Sequence, residues 1–267
     1  MTRRRSNSNR NPDDGRSQVA VPTIAIQSES RPMKIAVINF SGNVGKTTIA
    51  RHLLAPRLEV ADVIPIESIN ADGAETEALR GRDFDVLQQK MMSLKNVVVD
   101  IGASNVEDFV LLMQRYEGSH DDFDRFIVPT VPALKQQVDT IATLSQLAEL
   151  GIEPQKVRLL FNFVDNKSDV TKVFVRLFDQ HRKAGTFVID PAGVVYENPI
   201  YEKIKSIGKT ISEVNADPTD YVAWNARAME DDTPEHERAH IRQMVAIKRL
   251  ASRVTREHDA AFKLLVQ

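Results

Sequence analysis

The sequence predicts an α/β fold, a doubly wound and mostly parallel sheet with a C-terminal helical segment. Short, nearly continuous apolar runs recur along the chain, as expected of parallel strands covered on both faces. Segments with helical apolar period separate these runs, and such alternation implies right-handed crossovers. One strand meets one helix through a glycine-rich turn, Ser41-Gly42-Asn43-Val44-Gly45-Lys46-Thr47-Thr48.

Residues 1–32 are rich in Ser, Asn, Arg and Pro and hold little to bury, so a disordered basic tail is expected there. Arg3, Arg4, Arg5, Arg10 and Arg16 outweigh Asp13 and Asp14, which suits a solvated extension or an arm for nucleic acid. The main domain is expected over 33–229. Its strands read as Lys34–Asn39, Asp62–Ile66, Asn96–Asp100, Asp124–Pro129, Lys156–Phe161 and Thr186–Ile189. Between them, Phe84, Leu87, Met91 and Leu94 share one helical face. Ser104 and Glu107 read as a capping box before Phe109–Met113. Val138, Ile141, Leu144 and Leu147 form the next stripe, closed by Gly151. Ser168 is expected to cap a helix carrying Val170, Val173, Phe174 and Leu177, with Gly185 at its end. Tyr201, Ile204, Ile207 and Ile211 suggest a helix interrupted by Gly208.

A C-terminal helical extension is expected over 230–267, starting after the charged loop Glu230–Glu235. Arg238, Arg242, Lys248, Arg249, Arg253, Arg256 and Lys263 make it basic, and Ile241, Met244, Val245, Ala251, Val254, Ala261 and Leu265 give it an apolar stripe. It suits packing on the domain with a solvated basic face, or a surface for DNA or a DNA-binding partner. An anionic membrane ranks last, because large aromatics other than Phe262 are missing.

With a net charge of -2, the chain is not a wholly basic nucleic-acid binder. Having no cysteine, it cannot use disulfides, cysteine metal sites or cysteine nucleophiles, and a cytoplasmic location is expected. No apolar run reaches the roughly 18 residues of a membrane span. Arg3-Arg4-Arg5 is not followed by the apolar core of a secretory signal.

The turn carries the chemistry. An apolar strand, a glycine-rich loop ending Gly45-Lys46-Thr47, and a helix form the layout of a phosphate-binding loop, or Walker A motif. Glycines let backbone N–H groups close around phosphate oxygens, and the helix N-terminus adds unpaired donors. Lys46 is placed to reach the β- and γ-phosphates, and Thr47 to ligate Mg²⁺. The bland alternative is a plain turn with Lys46 solvated. The general pattern places its first glycine where Phe40 stands. Val97-Val98-Val99-Asp100 would deliver a carboxylate to the same end of the sheet, either for Mg²⁺ or as a capping aspartate.

The loop resembles that of the ParA/MinD group of ATPases, Lys-Gly-Gly-Val-Gly-Lys-Thr-Thr, and is most similar to the StbB-type plasmid stability proteins. The resemblance implies a P-loop ATPase fold over about residues 33–215 and a loop, Ser41 through Thr48, that binds ATP. The family's signature lysine, which reaches the partner's nucleotide across a dimer, falls on Ser41, and its second glycine on Asn43. The resemblance therefore does not extend to lysine-bridged dimers. Relatives end the second strand with Asp-x-Asp and use one of these acids to orient water. Here Glu67 takes the first place and Ile69 the second, so Glu67 is the expected catalytic acid beside Lys46, with Asp72 as substitute. The resemblance also implies that Asn162 contacts adenine, since an amide can read a purine edge. GTPases carry Asn-Lys-x-Asp there, but Phe163 replaces the lysine, and their Asp-x-x-Gly switch is missing at Asp100-Ile101-Gly102-Ala103, which favours ATP over GTP. The implied role is a slowly hydrolysing, Mg²⁺-dependent nucleotide switch in plasmid stability, partition or conjugative transfer, with a plasmid-encoded DNA-binding partner. Two other classes stay open. One is a metabolic ATP-dependent ligase or kinase of the dethiobiotin synthetase-like fold. The other is a protein that binds nucleotide without useful hydrolysis.

Overall fold

A computed structural model describes residues 32–59, 63–66 and 81–267. The expected tail over 1–32 falls almost wholly outside the described residues, as do Glu67, Ile69 and Asp72.

In chain order the first elements are β1 (Lys34–Val37), α1 (Lys46–Thr48), a π-helical stretch (Ile49–Leu54), α2 (Ala55–Arg57), β2 (Ile64–Ile66) and α3 (Gly81–Ser93). There follow β3 (Val97–Ile101), α4 (Val106–Arg115), β4 (Arg125–Thr130), α5 (Leu134–Glu149) and β5 (Val157–Val164). Then come α6 (Val170–Val173), α7 (Val175–Ala184), β6 (Val194–Tyr196), α8 (Ile200–Ser206), α9 (Ile211–Ala216), α10 (Tyr221–Glu230) and α11 (Glu235–Val266). The six strands form one sheet, parallel throughout, in the order β2-β3-β1-β4-β5-β6. This is the predicted α/β fold, a parallel sheet with helices on both faces and a C-terminal helical segment.

Strand residues alternate between two buried faces. Ala36, Val97, Val99, Phe126 and Val128 point to one, where Phe84, Leu87 and Met91 of α3, Phe109 and Met113 of α4, and Leu144 and Leu147 of α5 cover them. Ile35, Val37, Val98, Ile127 and Leu160 point to the other, beneath Ile49, Ala50, Leu53 and Leu54 and the far end of α11, through Ala261 and Leu265. Each Val, Leu, Ile, Phe or Met among them contributes about 1.5–3 kcal/mol by leaving water. The rest of α11, through Ile241, Met244, Ile247, Ala251 and Val254, packs with α8, α9 and α10 in a third cluster. Among the described residues no helix is long and apolar enough to cross a membrane.

Five local expectations are corrected. The run Thr186–Ile189 makes only an isolated bridge, Val188 with Arg158; the turn at Asp190, where Oδ1 accepts from Ala192 N at 2.8 Å, delays β6 to Val194. Ser104 lies in a 3-10 turn ahead of α4, its hydroxyl donating to Asn105 Oδ1 at 2.9 Å, so it is not the helix cap. Asp169, not Ser168, caps α6, because its carboxylate reaches Thr171 N. On α5, Val138 is 51% exposed, and the helix instead buries Gln137, Thr140 and Thr143 beside Leu144 and Leu147. On α3, Leu94 lies just beyond the helix and is exposed.

Candidate functional site

The chain leaves β1 at the centre of the sheet. Its neighbours are β3 on the side leading to β2 and β4 on the side leading to β6. In sheets of this kind ligands bind beyond the carboxyl ends of strands where the order switches direction. The loop that follows β1 lies at that end.

Asn39, fully buried, anchors the start of the loop. Its Nδ2 donates to Pro129 O at 2.9 Å and to Thr140 Oγ1 at 2.8 Å. Its Oδ1 accepts from Ser41 N at 2.8 Å. Phe40 N donates to Thr143 Oγ1 at 3.0 Å. The loop is thereby tied to β4 and to the polar face of α5, which explains why Thr140 and Thr143 are buried where apolar residues were expected. A buried polar group is stabilising only when partnered. None of these residues stood out in the sequence, although Gln137, Thr140 and Thr143 at helical spacing were the available signal.

The loop itself is held open by its backbone. Asn43 has φ 59° and Gly45 φ 84°. A Cβ at Gly45 would lie 2.2 Å from Asn162 Nδ2, and that nitrogen donates to Val44 O at 2.9 Å. Asn162 therefore braces the loop from β5. The space over Gly42 is open. Gly42 and Asn43 are exposed, Ser41 and Val44 are buried, and Thr48 is half-buried.

Lys46 is 8% exposed and curls back over the loop. Its Nζ donates to Asn39 O at 3.0 Å and Ser41 O at 2.9 Å. Burial lowers its pKa to about 8, an effect that Asp100 partly offsets. Thr47 Oγ1 donates to Asp100 Oδ2 at 2.6 Å. The two meet because β1 and β3 are neighbours, with Val37 in register with Asp100.

Beside the loop lies a cavity of about 580 Å³, lined in part by Thr47, Thr48, Arg51, Phe163, Tyr201 and Lys209. It adjoins another of about 460 Å³, lined in part by Phe163, Asp165, Asn166, Glu197 and Tyr201. Phe163 has φ 54°, a conformation that costs a bulky residue about 1–3 kcal/mol. Tyr201 is fixed from behind by His258 of α11, which is 1% exposed. His258 Nδ1 lies 3.1 Å from His52 O, and its Nε2 lies 2.9 Å from Tyr201 Oη. A carbonyl only accepts, so Nδ1 carries the proton and Nε2 accepts from the tyrosine. Burial keeps this ring neutral, with a pKa lowered to about 4.

On α11, Arg242, Arg249, Arg253, Arg256 and Lys263 are exposed. Arg238 and Arg242 pair with Glu235, and Arg253 pairs with Glu257. Lys248 donates to the carbonyls of Asp217 and Thr219.

The fold and this loop define a P-loop α/β protein. No protein-family model matches the chain, and no curated protein sequence matches it. Among solved structures the chain is similar to apo McdA of Cyanothece, at 14% identity and a TM-score of 0.44, over 68% of this chain and 92% of that one. It is also similar to an aspartate-to-alanine variant of Cyanothece McdA in complex with ATP, at 14% identity and a TM-score of 0.43, over 69% and 91%.

Proposed function

We propose that this chain is a ParA/MinD-like nucleotide switch that binds ATP with Mg²⁺ and hydrolyses it slowly. The observation that carries the reading is Lys46. It is a buried ammonium whose hydrogen bonds, among the described residues, go to two loop carbonyls, 3.0 and 2.9 Å away, at the mouth of a strand–loop–helix turn. A triphosphate would add negative charge beyond what Asp100 supplies, and the loop amides and the start of α1 would take the remaining oxygens.

Thr47 and Asp100 fit Mg²⁺. They present a hydroxyl and a carboxylate, hard oxygen donors 2.6 Å apart, and Mg²⁺ takes one or two protein oxygens plus phosphates and water. When bound, the ion would neutralise charge between the phosphates. Glu67 is the proposed acid for water. The role in plasmid stability, partition or transfer, and the DNA-binding partner, belong to the same proposal. The exposed arginines of α11 are the surface offered for weak, non-specific DNA contact.

Isothermal titration of the chain with ATP and with GTP tests the reading, and ATP is expected to bind more tightly. In the same assay Asp100→Ala is expected to weaken ATP binding about tenfold or more in Mg²⁺, given the one or two protein oxygens such a site holds, and far less in EDTA. Equal losses in both conditions would make Asp100 a structural residue.

ATP is not expected to drive a lysine-bridged dimer. Ser41 is 4% exposed, its side chain carries no charge, and its carbonyl is taken by Lys46. Light scattering with a slowly hydrolysed ATP analogue should find no shift in mass, and Ser41→Lys should raise analogue-dependent dimerisation. A complete monomer-to-dimer shift in the unaltered chain would contradict this.

A further inference from the structure

We propose that Phe163 is the stacking platform for the base of the bound nucleotide, a specificity-determining residue aimed into the cavity beside the loop by the geometry of the β5 strand end. The proposal rests on the nucleotide reading of the loop given above.

Three non-glycine residues among those described have positive φ: Asn43, Glu59 and Phe163. Asparagine tolerates that region, but a bulky aromatic does so rarely and persists there only when its surroundings enforce it. Both flanks enforce it here. Asn162 is 3% exposed and bonded to Val44 O. Val164 is fully buried. Phe161 pairs with Val194, and Val164 pairs with Tyr196. The β5 side of that interval therefore carries one residue more than the β6 side. This is a bulge, a device that re-aims side chains next to functional sites. With both neighbours locked inward, Phe163 is turned out.

A ring serving only the core would be buried. This one is 42% exposed and lines both cavities beside the loop. Its edge comes within 3.4 Å of the direction a side chain at Gly45 would take, so it stands at the end of the phosphate loop. A flat apolar face at that point suits a flat base, and stacking is indifferent to the base's hydrogen-bonding pattern. The larger face of a purine overlaps it best. Discrimination among purines then falls to Asp165, Asn166 and Glu197, which line the neighbouring cavity.

The experiment compares ATP with inorganic tripolyphosphate, which has the charge and no base, on the full chain. Phe163→Ala is expected to lower ATP affinity about tenfold to a hundredfold, the range for loss of one base–aromatic stack, and to leave tripolyphosphate affinity unchanged. Phe163→Trp is expected to keep ATP affinity and to show fluorescence quenching with ATP but not with tripolyphosphate. Phe163→Gly, for which the left-handed conformation is unstrained, is expected to lose ATP affinity as the alanine variant does while melting no lower than the unaltered chain. ATP affinity within twofold of the unaltered chain in Phe163→Ala would overturn the proposal. So would parallel losses for both ligands, or a glycine variant that melts well below the unaltered chain, since each assigns the ring a structural task. If the unaltered chain binds neither ligand, the loop reading itself fails, and the platform with it.

Discussion

Lys46→Ala is expected to lower ATP affinity and turnover by about a hundredfold or more, the scale for removing a buried donor from developing phosphate charge. The fold should survive. Lys46 holds no carboxylate; its two hydrogen bonds go to the carbonyls of Asn39 and Ser41. Its lowered pKa, about 8 against an ordinary 10.5, means that burial opposes the charged form in the folded chain. The sign follows directly. Between pH 8 and 10.5 the unfolded chain holds a proton that the folded chain has released, so this residue's contribution to stability rises with pH across that window. Lys46→Met, which keeps the volume and drops the charge, should therefore melt no lower than the unaltered chain at pH 7. A bound triphosphate reverses the preference, because it favours the ammonium. ATP affinity should fall as pH rises past about 8, with proton uptake on binding, and Lys46→Met should abolish that dependence. Calorimetry in buffers of different ionisation enthalpy reads the uptake. ATP affinity and hydrolysis unchanged in Lys46→Ala would sink the phosphate-loop reading.

Gly45→Ala is expected to be the most damaging small substitution in the loop. The residue has φ 84°, which any side chain resists, and the added Cβ would lie 2.2 Å from Asn162 Nδ2. That nitrogen has little room to give, because Asn162 is 3% exposed and bonded to Val44 O. Together these imply a loss of about 2–4 kcal/mol and loss of ATP binding. Adding Asn162→Ala should remove the collision and leave the backbone strain, so stability should return in part and ATP binding should not. Denaturant midpoints resolve the two contributions. A Gly45→Ala variant as stable as the unaltered chain would mean that the brace from β5 is not as described.

What could be read in the sequence was whatever is written contiguously. Gly42 through Thr48 and the run ending at Asp100 are local patterns, and parallel strands buried on both faces declare themselves as apolar runs. The parts that escaped depend on distant residues meeting. Asn39, Pro129, Thr140 and Thr143 converge only because β1 lies beside β4 and α5 turns its polar side inward. Stripe counting on α5 chose Val138, because it weighs apolarity and knows nothing of a buried amide waiting at the strand end. Asn162 was legible as a strand-end asparagine, but not the direction in which its amide points. Phe163 registered only as a missing lysine, since a sequence does not display φ. The sixth strand was misplaced because Thr186–Ile189 has strand composition, whereas the turn at Asp190 decides where pairing resumes.

The far end of α11 has a consequence for how the molecule comes into being. Ala261 and Leu265 close the face of the sheet formed by Ile35, Val37, Ile127 and Leu160, and His258 steadies the helix that follows the loop. The last strand, β6, ends at Tyr196, long before those residues are made. At about 5–20 residues per second, a ribosome needs several seconds to cover the interval. During that time the part of that face which Ile49–Leu54 leaves uncovered is exposed while the chain is still tethered. Early termination within α11 would leave that part of the face permanently uncovered, and the truncated product would be material for chaperones and proteases.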